Sequence, residues 1–258
     1  MSNVGFRLDG KVALVTGSTR GIGRAIAHAM ARRGAHVVVS SESAADTAQV
    51  SAALSAEGLA VTGIACDVTD SAAQSALVDG AMRVDGRLDV LVCNAGITGR
   101  PGPIADMDFT DYDRVMNLNL RSMVELTQLA LPHIAANAGG SVILISSISG
   151  LRGNSAINAY ALAKAGVAQL ARNLAVEWGP RGVRVNAISP GFIRTELSRP
   201  LLENQEFMAR RIQMTPLRRA GEVEEVAGAA VFLASPAGAF VTGHNLVVDG
   251  GTVITDGS

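Results

Sequence analysis

Tyr160 and Lys164 stand four residues apart within Asn158–Glu177, a run rich in Ala, Leu and Val that reads as one helix. Four residues make about one helical turn, so the two side chains share a face. A phenol titrates near 10; to give or take a proton near neutrality it needs that value lowered by about 3, roughly 4 kcal/mol of differential stabilisation. An ammonium one turn away favours the phenolate and supplies part of this. Ser147 lies thirteen positions before Tyr160, just past the apolar strand Val142-Ile143-Leu144-Ile145. A hydroxyl at the carboxyl end of a strand, beside a helix that carries an acid, can hold a carbonyl oxygen. Together the three residues could move a proton to or from an oxygen on carbon. Tyr–Lys pairs on helix surfaces are commonplace, so the reading depends on the elements around this one.

Those elements alternate. Lys11–Thr16 is a short β-branched strand that runs into Gly17-Ser18-Thr19-Arg20-Gly21-Ile22-Gly23, and a helix follows from Arg24 to Arg33, closed by Gly34. Strand, glycine loop and helix form the context in which backbone N–H groups approach a pyrophosphate at the positive end of a helix. The first two glycines are spaced more widely than in G-x-G-x-x-G, and a tight turn without a ligand is the plain alternative. Ala35–Ser40, Ala60–Cys66, Leu88–Cys93, Ser141–Ser146, Val183–Ile188 and Asn245–Val248 read as further strands. Helices are expected at Ala44–Ala56, Ser71–Val84 with Asp70 as its cap, about Asp111–Ala136 with Thr110 as its cap, and Val223–Leu233. Gly179-Pro180 stops the Tyr160 helix. Strands alternating with helices predict a doubly wound parallel sheet of Rossmann type, three α/β/α layers in one domain spanning 1–258. No linker, repeat or low-complexity segment interrupts it.

Composition narrows the function classes. The chain has 258 residues, 48% hydrophobic and 17% charged, with a formal net charge of −1. That balance gives no electrostatic case for nucleic acid or an anionic membrane, and with 3% aromatics there are few platforms for stacking bases. No apolar run approaches the roughly 20 residues of a membrane span. The stretch Met1–Asp9 lacks the apolar core of a signal peptide. Cys66 and Cys93 both fall in expected strands and read as buried, reduced thiols rather than a disulfide or metal pair. A soluble, cytoplasmic protein without a metal is expected.

In such a sheet ligands bind beyond the carboxyl ends of the strands. Gly17, Gly21, Gly23, Ser41, Glu42, Asp67, Asn94, Ser147 and Pro190-Gly191 all gather there. Strand-end polar residues are often only turn formers, but so many at one edge point to a dinucleotide site.

At this point the chain resembles the short-chain dehydrogenase/reductase family, from about Leu8 to Thr252, in its compact single-domain branch. The resemblance is carried by Thr16-Gly17-x-x-x-Gly21-Ile22-Gly23, Asn94-Ala95-Gly96, Ser147, Tyr160-x-x-x-Lys164 and Pro190-Gly191, in order. Each motif is weak alone; the set is specific. Within the family, His36–Ser41 and Val247–Gly251 are most similar to carbonyl reductases and 3-oxoacyl carrier-protein reductases. The resemblance implies that Tyr160 is the general acid in reduction and the base in oxidation, and that Ser147, rather than Ser146, binds the substrate oxygen. It implies that Lys164 lowers the Tyr160 pKa and binds the nicotinamide ribose. Asn119, preferred to Asn117, would hold a water that relays protons to Lys164. For the cofactor it implies Ile22 and the glycine loop at the pyrophosphate, Asp67 and Val68 at adenine, and Asn94 on the adenosine ribose side. Ile193 and Thr195 would meet the nicotinamide carboxamide. A homotetramer, or failing that a dimer, is also implied; the apolar residues of the helices at Asp111–Ala136 and Asn158–Glu177 agree, although burial within one chain would explain them too.

The leading reading is an NAD- or NADP-dependent oxidoreductase of a secondary alcohol or ketone. The alternatives are a catalytically silent dinucleotide-binding regulator and an epimerase or dehydratase of the same superfamily. The complete Asn119, Ser147, Tyr160 and Lys164 set argues against the first, and the little chain left after the last strand against the second. Cofactor choice turns on the end of the second strand. Glu42, nineteen residues after Gly23, would bind the ribose 2′-OH of NAD and repel a phosphate, whereas Arg20 with Ser40 and Ser41 could receive the 2′-phosphate of NADP. The balance favours NAD. Residues 196–216 read as a helical lid, with Leu197, Leu201, Leu202, Phe207 and Met208 available to line a pocket or to pack the lid down. Arg152, Arg194 and Arg199 could bind an acidic substrate or simply face water.

Overall fold

A computed structural model describes residues 5–255. Residues 1–4, where the sequence was read as lacking a signal peptide, and residues 256–258 lie outside the described residues.

Seven strands form one all-parallel sheet in the order β3-β2-β1-β4-β5-β6-β7. They are β1 Val12–Thr16, β2 His36–Ser40, β3 Val61–Gly63, β4 Val90–Cys93, β5 Gly140–Ile145, β6 Val183–Pro190 and β7 Asn245–Val248. The helices are α1 Gly21–Arg32, α2 Ala44–Ala56, α3 Ser71–Asp85, α4 Phe109–Met116, α5 Ser122–Ala136, α6 Asn158–Trp178, α7 Arg199–Leu202, α8 Gln205–Gln213 and α9 Val223–Ala234. Alternation along each strand feeds two cores, because successive side chains point to opposite faces. Val12 and Leu14 join Leu77, Leu126, Ala130 and Val167 on the face covered by α3, α5 and α6. Ala13 and Val15 join Ile26, Met30, Val50, Val226 and Ala230 under α1, α2 and α9. Buried strands thus read as continuous apolar runs, as a sheet covered on both faces requires.

The chain reverses direction across the sheet at β1, whose neighbours are β2 and β4. That reversal opens a crevice at the carboxyl edge, where β1, β4 and β5 deliver Gly17, Asn94 and Ser147. At the opposite edge the buried Asp89 anchors the sheet. It accepts hydrogen bonds from Lys11 Nζ at 3.0 Å, the Val12 backbone N–H at 3.0 Å and Arg87 at 2.6 and 2.7 Å.

Several expected boundaries are corrected. The strand read over Ala60–Cys66 is only Val61–Gly63. It is the sheet's edge and pairs with β2 alone, so Cys66 lies beyond it, buried but off the strand. The helix α1 starts at Gly21 rather than Arg24, and β6 continues past Ile188 to Pro190. The single helix expected over Asp111–Ala136 is two, α4 and α5, joined by a π turn at Asn117–Arg121. Its cap is Asp108, whose carboxylate accepts from the Thr110 N–H at 2.9 Å, rather than Thr110 itself. The Asp70 cap is as read, accepting from Ala72 and Ala73 N–H groups. The stretch 196–216 carries two short helices, α7 and α8. No helix among the described residues is long and apolar enough to cross a membrane.

Candidate active site

The adjacent serines at the end of β5 face different ways. The Ser146 hydroxyl donates to the Lys164 carbonyl at 2.7 Å, fastening β5 to α6. The Ser147 hydroxyl accepts from the Ser149 N–H at 3.1 Å, which caps a 3-10 turn at Ile148–Gly150, and stands near enough to the Tyr160 phenol to pull its pKa down. Of the two serines, Ser147 is thus the one turned towards Tyr160. That short turn packs against α6 so closely that a β-carbon on Gly150 would fall 2.6 Å from the Ala165 nitrogen.

Lys164 is buried one turn beyond Tyr160, its Nζ 5.6 Å from the ring centroid, and it donates to the Ile145 carbonyl at 2.7 Å. Burial pushes its pKa down to about 8. For Tyr160, burial is the larger influence and pushes the phenol up, while Ser147 pulls the other way. Burial and Ser147 are the two influences on the phenol here. Cys93, at the end of β4, is buried beside this lysine. Burial raises its thiol to about 12, and Cys66 likewise rises to about 11, which leaves both unreactive.

Asn119 is brought in by the π turn. A turn closed by i→i+5 bonds is wider than an α turn, and it rotates a residue that would otherwise follow the helix face. Asn119 is fully buried whereas Asn117 is only half-buried. Its Oδ1 accepts from the Ile97 N–H at 2.9 Å and its Nδ2 donates to the Ile97 carbonyl at 2.7 Å. Gly96 sits at the junction: a β-carbon there would be 3.1 Å from Asn119 Oδ1 and 3.5 Å from Lys164 Nζ. Asn119 and Lys164 thus converge, with Tyr160 and Ser147 next in line. The Asn119 amide is thus bound at both ends to Ile97.

The glycine loop is shaped by its neighbours. Gly17 has a φ of +60°, and a β-carbon there would meet the Ala95 backbone at 2.9 Å. Asn94 Nδ2 donates to the Thr16 and Gly17 carbonyls, both at 3.0 Å. Asn94 therefore clamps the loop. Ser18 is also structural: its hydroxyl donates to the Val15 carbonyl at 2.7 Å and accepts from the Ser40 N–H at 2.8 Å. The residue before α1, Arg20, makes no side-chain cap, and the helix's first turn carries no acid. Its N–H groups and positive end are open to an anion, so the loop fits a dinucleotide pyrophosphate. Thr195 lies against the loop, its Cγ2 3.5 Å from where a β-carbon on Gly21 would be.

Along the rest of the crevice, Asp67 Oδ1 accepts from the Thr69 N–H at 2.9 Å and hydroxyl at 2.7 Å, which hold its carboxyl below the ordinary range, while Val68 beside it is buried. The Ser41 hydroxyl is turned inward to Thr47 and the Ser43 carbonyl, and Glu42 is left exposed with one oxygen 4.0 Å from Arg20. Gly191 passes so near β7 that a β-carbon would fall 2.7 Å from Asp249 Cα. Ser198 went unnoticed in the sequence. Its hydroxyl donates to the Ile193 carbonyl at 2.8 Å and accepts from the Thr195 N–H at 2.9 Å, fixing the turn that carries both residues. A Thr three positions before a Ser was the available signal. A separate cavity of about 460 Å³, lined by Ile193, Pro216, Leu217 and Asp249 among others, touches none of the four central residues.

The geometry is matched by known proteins. The family model described as Enoyl-(Acyl carrier protein) reductase matches residues 17–253. The 7alpha-hydroxysteroid dehydrogenase of Escherichia coli (strain K12) is 39% identical over 248 residues, covering 96% of each chain. Dehydrogenase/reductase SDR family member 4 of Homo sapiens is 38% identical over 245 residues, 95% of this chain and 88% of that protein. Among solved structures, a gluconate 5-dehydrogenase from Burkholderia cenocepacia J2315 in complex with NADP and tartrate superposes with a TM-score of 0.93 at 35% identity, over 97% of this chain and 98% of that one. A 7 alpha-hydroxysteroid dehydrogenase complexed with NADH and 7-oxo glycochenodeoxycholic acid gives 0.91 at 38% identity over 97% of both. The chain belongs to the short-chain dehydrogenase/reductase family and is a nicotinamide-dependent oxidoreductase of alcohols and ketones.

Proposed function

We propose that the chain interconverts a secondary alcohol and a ketone as a carbonyl reductase, with Tyr160 exchanging the proton on the substrate oxygen. The observation that carries this reading is the placement of Tyr160 with the buried Lys164, whose Nζ lies 5.6 Å from the phenol ring centroid, and with Ser147 alongside. The nicotinamide cofactor supplies the hydride in reduction and receives it in oxidation. Ser147 holds the carbonyl oxygen, and Tyr160 delivers its proton to that oxygen as negative charge develops there. Lys164 holds the ribose and, as an ammonium, stabilises the phenolate that remains. Asn119 keeps Ile97 and the Asn94-Ala95-Gly96 segment in register with Lys164 through its two bonds to Ile97.

The glycine loop, Ile22 and the open end of α1 take the pyrophosphate, Asp67 and Val68 the adenine, and Pro190-Gly191, Ile193 and Thr195 the nicotinamide side. NAD is the favoured cofactor, because the exposed Glu42 carboxylate offers acceptors to a 2′-OH and repulsion to a 2′-phosphate. Residues 196–216 close over the substrate, and the chain works as a homotetramer in the cytoplasm. Exposed Leu162 and Val176 on α6 support an assembled form. A light-scattering mass of one 26.5 kDa chain at micromolar concentration removes the tetramer. The experiment for the activity is a panel of ketones with each reduced nicotinamide, followed by loss of its absorbance. No turnover of any ketone with either cofactor ends the proposal.

A further inference from the structure

Arg211 is a half-buried guanidinium without an acid beside it. It lies on α8 one turn after Phe207, and its guanidinium carbon is 5.3 Å from the Phe207 ring centroid and 5.7 Å from that of Phe192. The two rings meet edge to face with centroids 5.4 Å apart. Phe192 is two residues past the end of β6, the strand that pairs with β5 and so lies beside Ser147. Among the described residues, no carboxylate lies within ion-pair distance of Arg211 and no protein acceptor takes one of its side-chain N–H groups. By contrast, Arg194 pairs with Glu222 at 3.1 Å, and Arg219 pairs with Glu225.

Other positive charges come towards it instead. Burial, then the charges of Arg152 and Arg210, press the Arg211 guanidinium below its ordinary value. Arg152 arrives from the segment between Ser147 and α6, two residues beyond the point where Gly150 lies against Lys164 and Ala165. A half-buried cation with five unanswered donors is costly, and like charges nearby add to the cost. Contact with aromatic faces offsets only part of that cost. An anion beside Arg211 would remove both penalties and give its guanidinium a charge-assisted partner.

We infer that the substrate is itself anionic, a keto or hydroxy carboxylate whose carboxylate is held by Arg211 while its reacting carbon faces Ser147 and Tyr160. The inference rests on the site proposed above. Arg194, one of the three arginines singled out in the sequence, is already paired with Glu222. The apolar walls of Phe192 and Phe207 suit the carbon chain between the two ends of such a substrate.

The test compares 4-oxopentanoate, 5-oxohexanoate and 6-oxoheptanoate with their methyl esters. In the wild type, kcat/KM for the preferred acid is expected to exceed that of its ester by at least tenfold. In Arg211→Gln that ratio should fall at least tenfold, mainly through KM of the acid, and Arg211→Lys should retain much of it. An acid-to-ester ratio near one in the wild type, or one that Arg211→Gln leaves unchanged, overturns the inference; Arg211 then only pins α8 to Phe192. Calorimetry of the Tyr160→Phe protein with 5-oxohexanoate reads the anion site without turnover. Binding lost on adding Arg211→Gln supports the inference even if no ketone is reduced, and binding indifferent to that change overturns it even if ketones are.

Discussion

The Asn94 side-chain nitrogen lies 2.4 Å from where a β-carbon on Gly23 would stand, and the Gly17 carbonyl oxygen is closer still at 2.3 Å. Both belong to the clamp that shapes the glycine loop, so neither can move without opening it. Replacing a helical glycine by alanine ordinarily stabilises by about 0.5–1 kcal/mol. For Gly23→Ala the opposite is expected: a lower Tm, and a cofactor Kd raised at least tenfold, about 1.4 kcal/mol. Thermal melts and fluorescence titration with the reduced nicotinamide check this. Unchanged affinity with a raised Tm would show slack in the loop.

Tyr160→Phe keeps the ring that packs against Lys164 and removes the phenol oxygen that meets Ser147. General acid catalysis typically contributes 10²–10⁴ in rate. Turnover is therefore expected to fall at least 10²-fold while cofactor Kd stays within about twofold. Steady-state kinetics beside a direct binding titration separates the two, and a Phe variant that works at the wild-type rate would remove Tyr160 from the proton path.

Lys164 makes a prediction about stability. Burial lowers its pKa from 10.5 to about 8 in the folded chain. Between those values the unfolded chain binds more protons than the folded one, so this group makes stability rise with pH across that window. Below about 8 both states hold the proton and the cost of the buried ammonium is full and constant. Lys164→Met removes the titration. Its stability relative to wild type should be flat below about pH 7 and decline steadily from about 8 upward, whatever the fixed cost of leaving the Ile145 carbonyl unpaired. Urea denaturation at a series of pH values measures the difference. A difference independent of pH would mean that Lys164 keeps its ordinary value.

The fold was legible because its signals are local and repeated: apolar β-branched runs, helical stretches and strand-end glycines alternate along the chain. Tyr160, Lys164 and Ser147 were legible for a related reason, since the first two share one helix and Ser147 ends a strand, whereas Asn119 was reached only through the family resemblance. What escaped depends on contacts between distant segments. The π turn at Asn117–Arg121 follows from no propensity in Asn117-Leu118-Asn119-Leu120. It is held by Ile97, twenty-two positions away from Asn119. The clamp role of Asn94 depends on Thr16 and Gly17, on a neighbouring strand that only the sheet order brings near. Arg211 gave no sign either, because an unpaired arginine is recognised by what does not surround it.

Cofactor choice can be argued from Arg20 and Glu42 together. Their closest atoms are 4.0 Å apart and both side chains are two-thirds exposed, at 67% each, so the pair is loose and contributes little to stability. Ser41, which might have offered a hydroxyl to a 2′-phosphate, is turned inward to Thr47. That leaves Arg20 as the near ligand for a phosphate, with Glu42 beside it opposing the same charge. A carboxylate at this place binds the ribose hydroxyls of NAD and disfavours NADP. Glu42→Arg is expected to gain at least tenfold in kcat/KM with NADP, about 1.4 kcal/mol, and to lose with NAD. Arg20→Ala should then lower NADP activity in that variant more than in the wild type, since only there does Arg20 have a second cation at its side rather than an acid. Initial rates with both cofactors across the four proteins decide it. A wild-type preference for NADPH that Arg20→Ala abolishes would show that Arg20, and not Glu42, governs the choice.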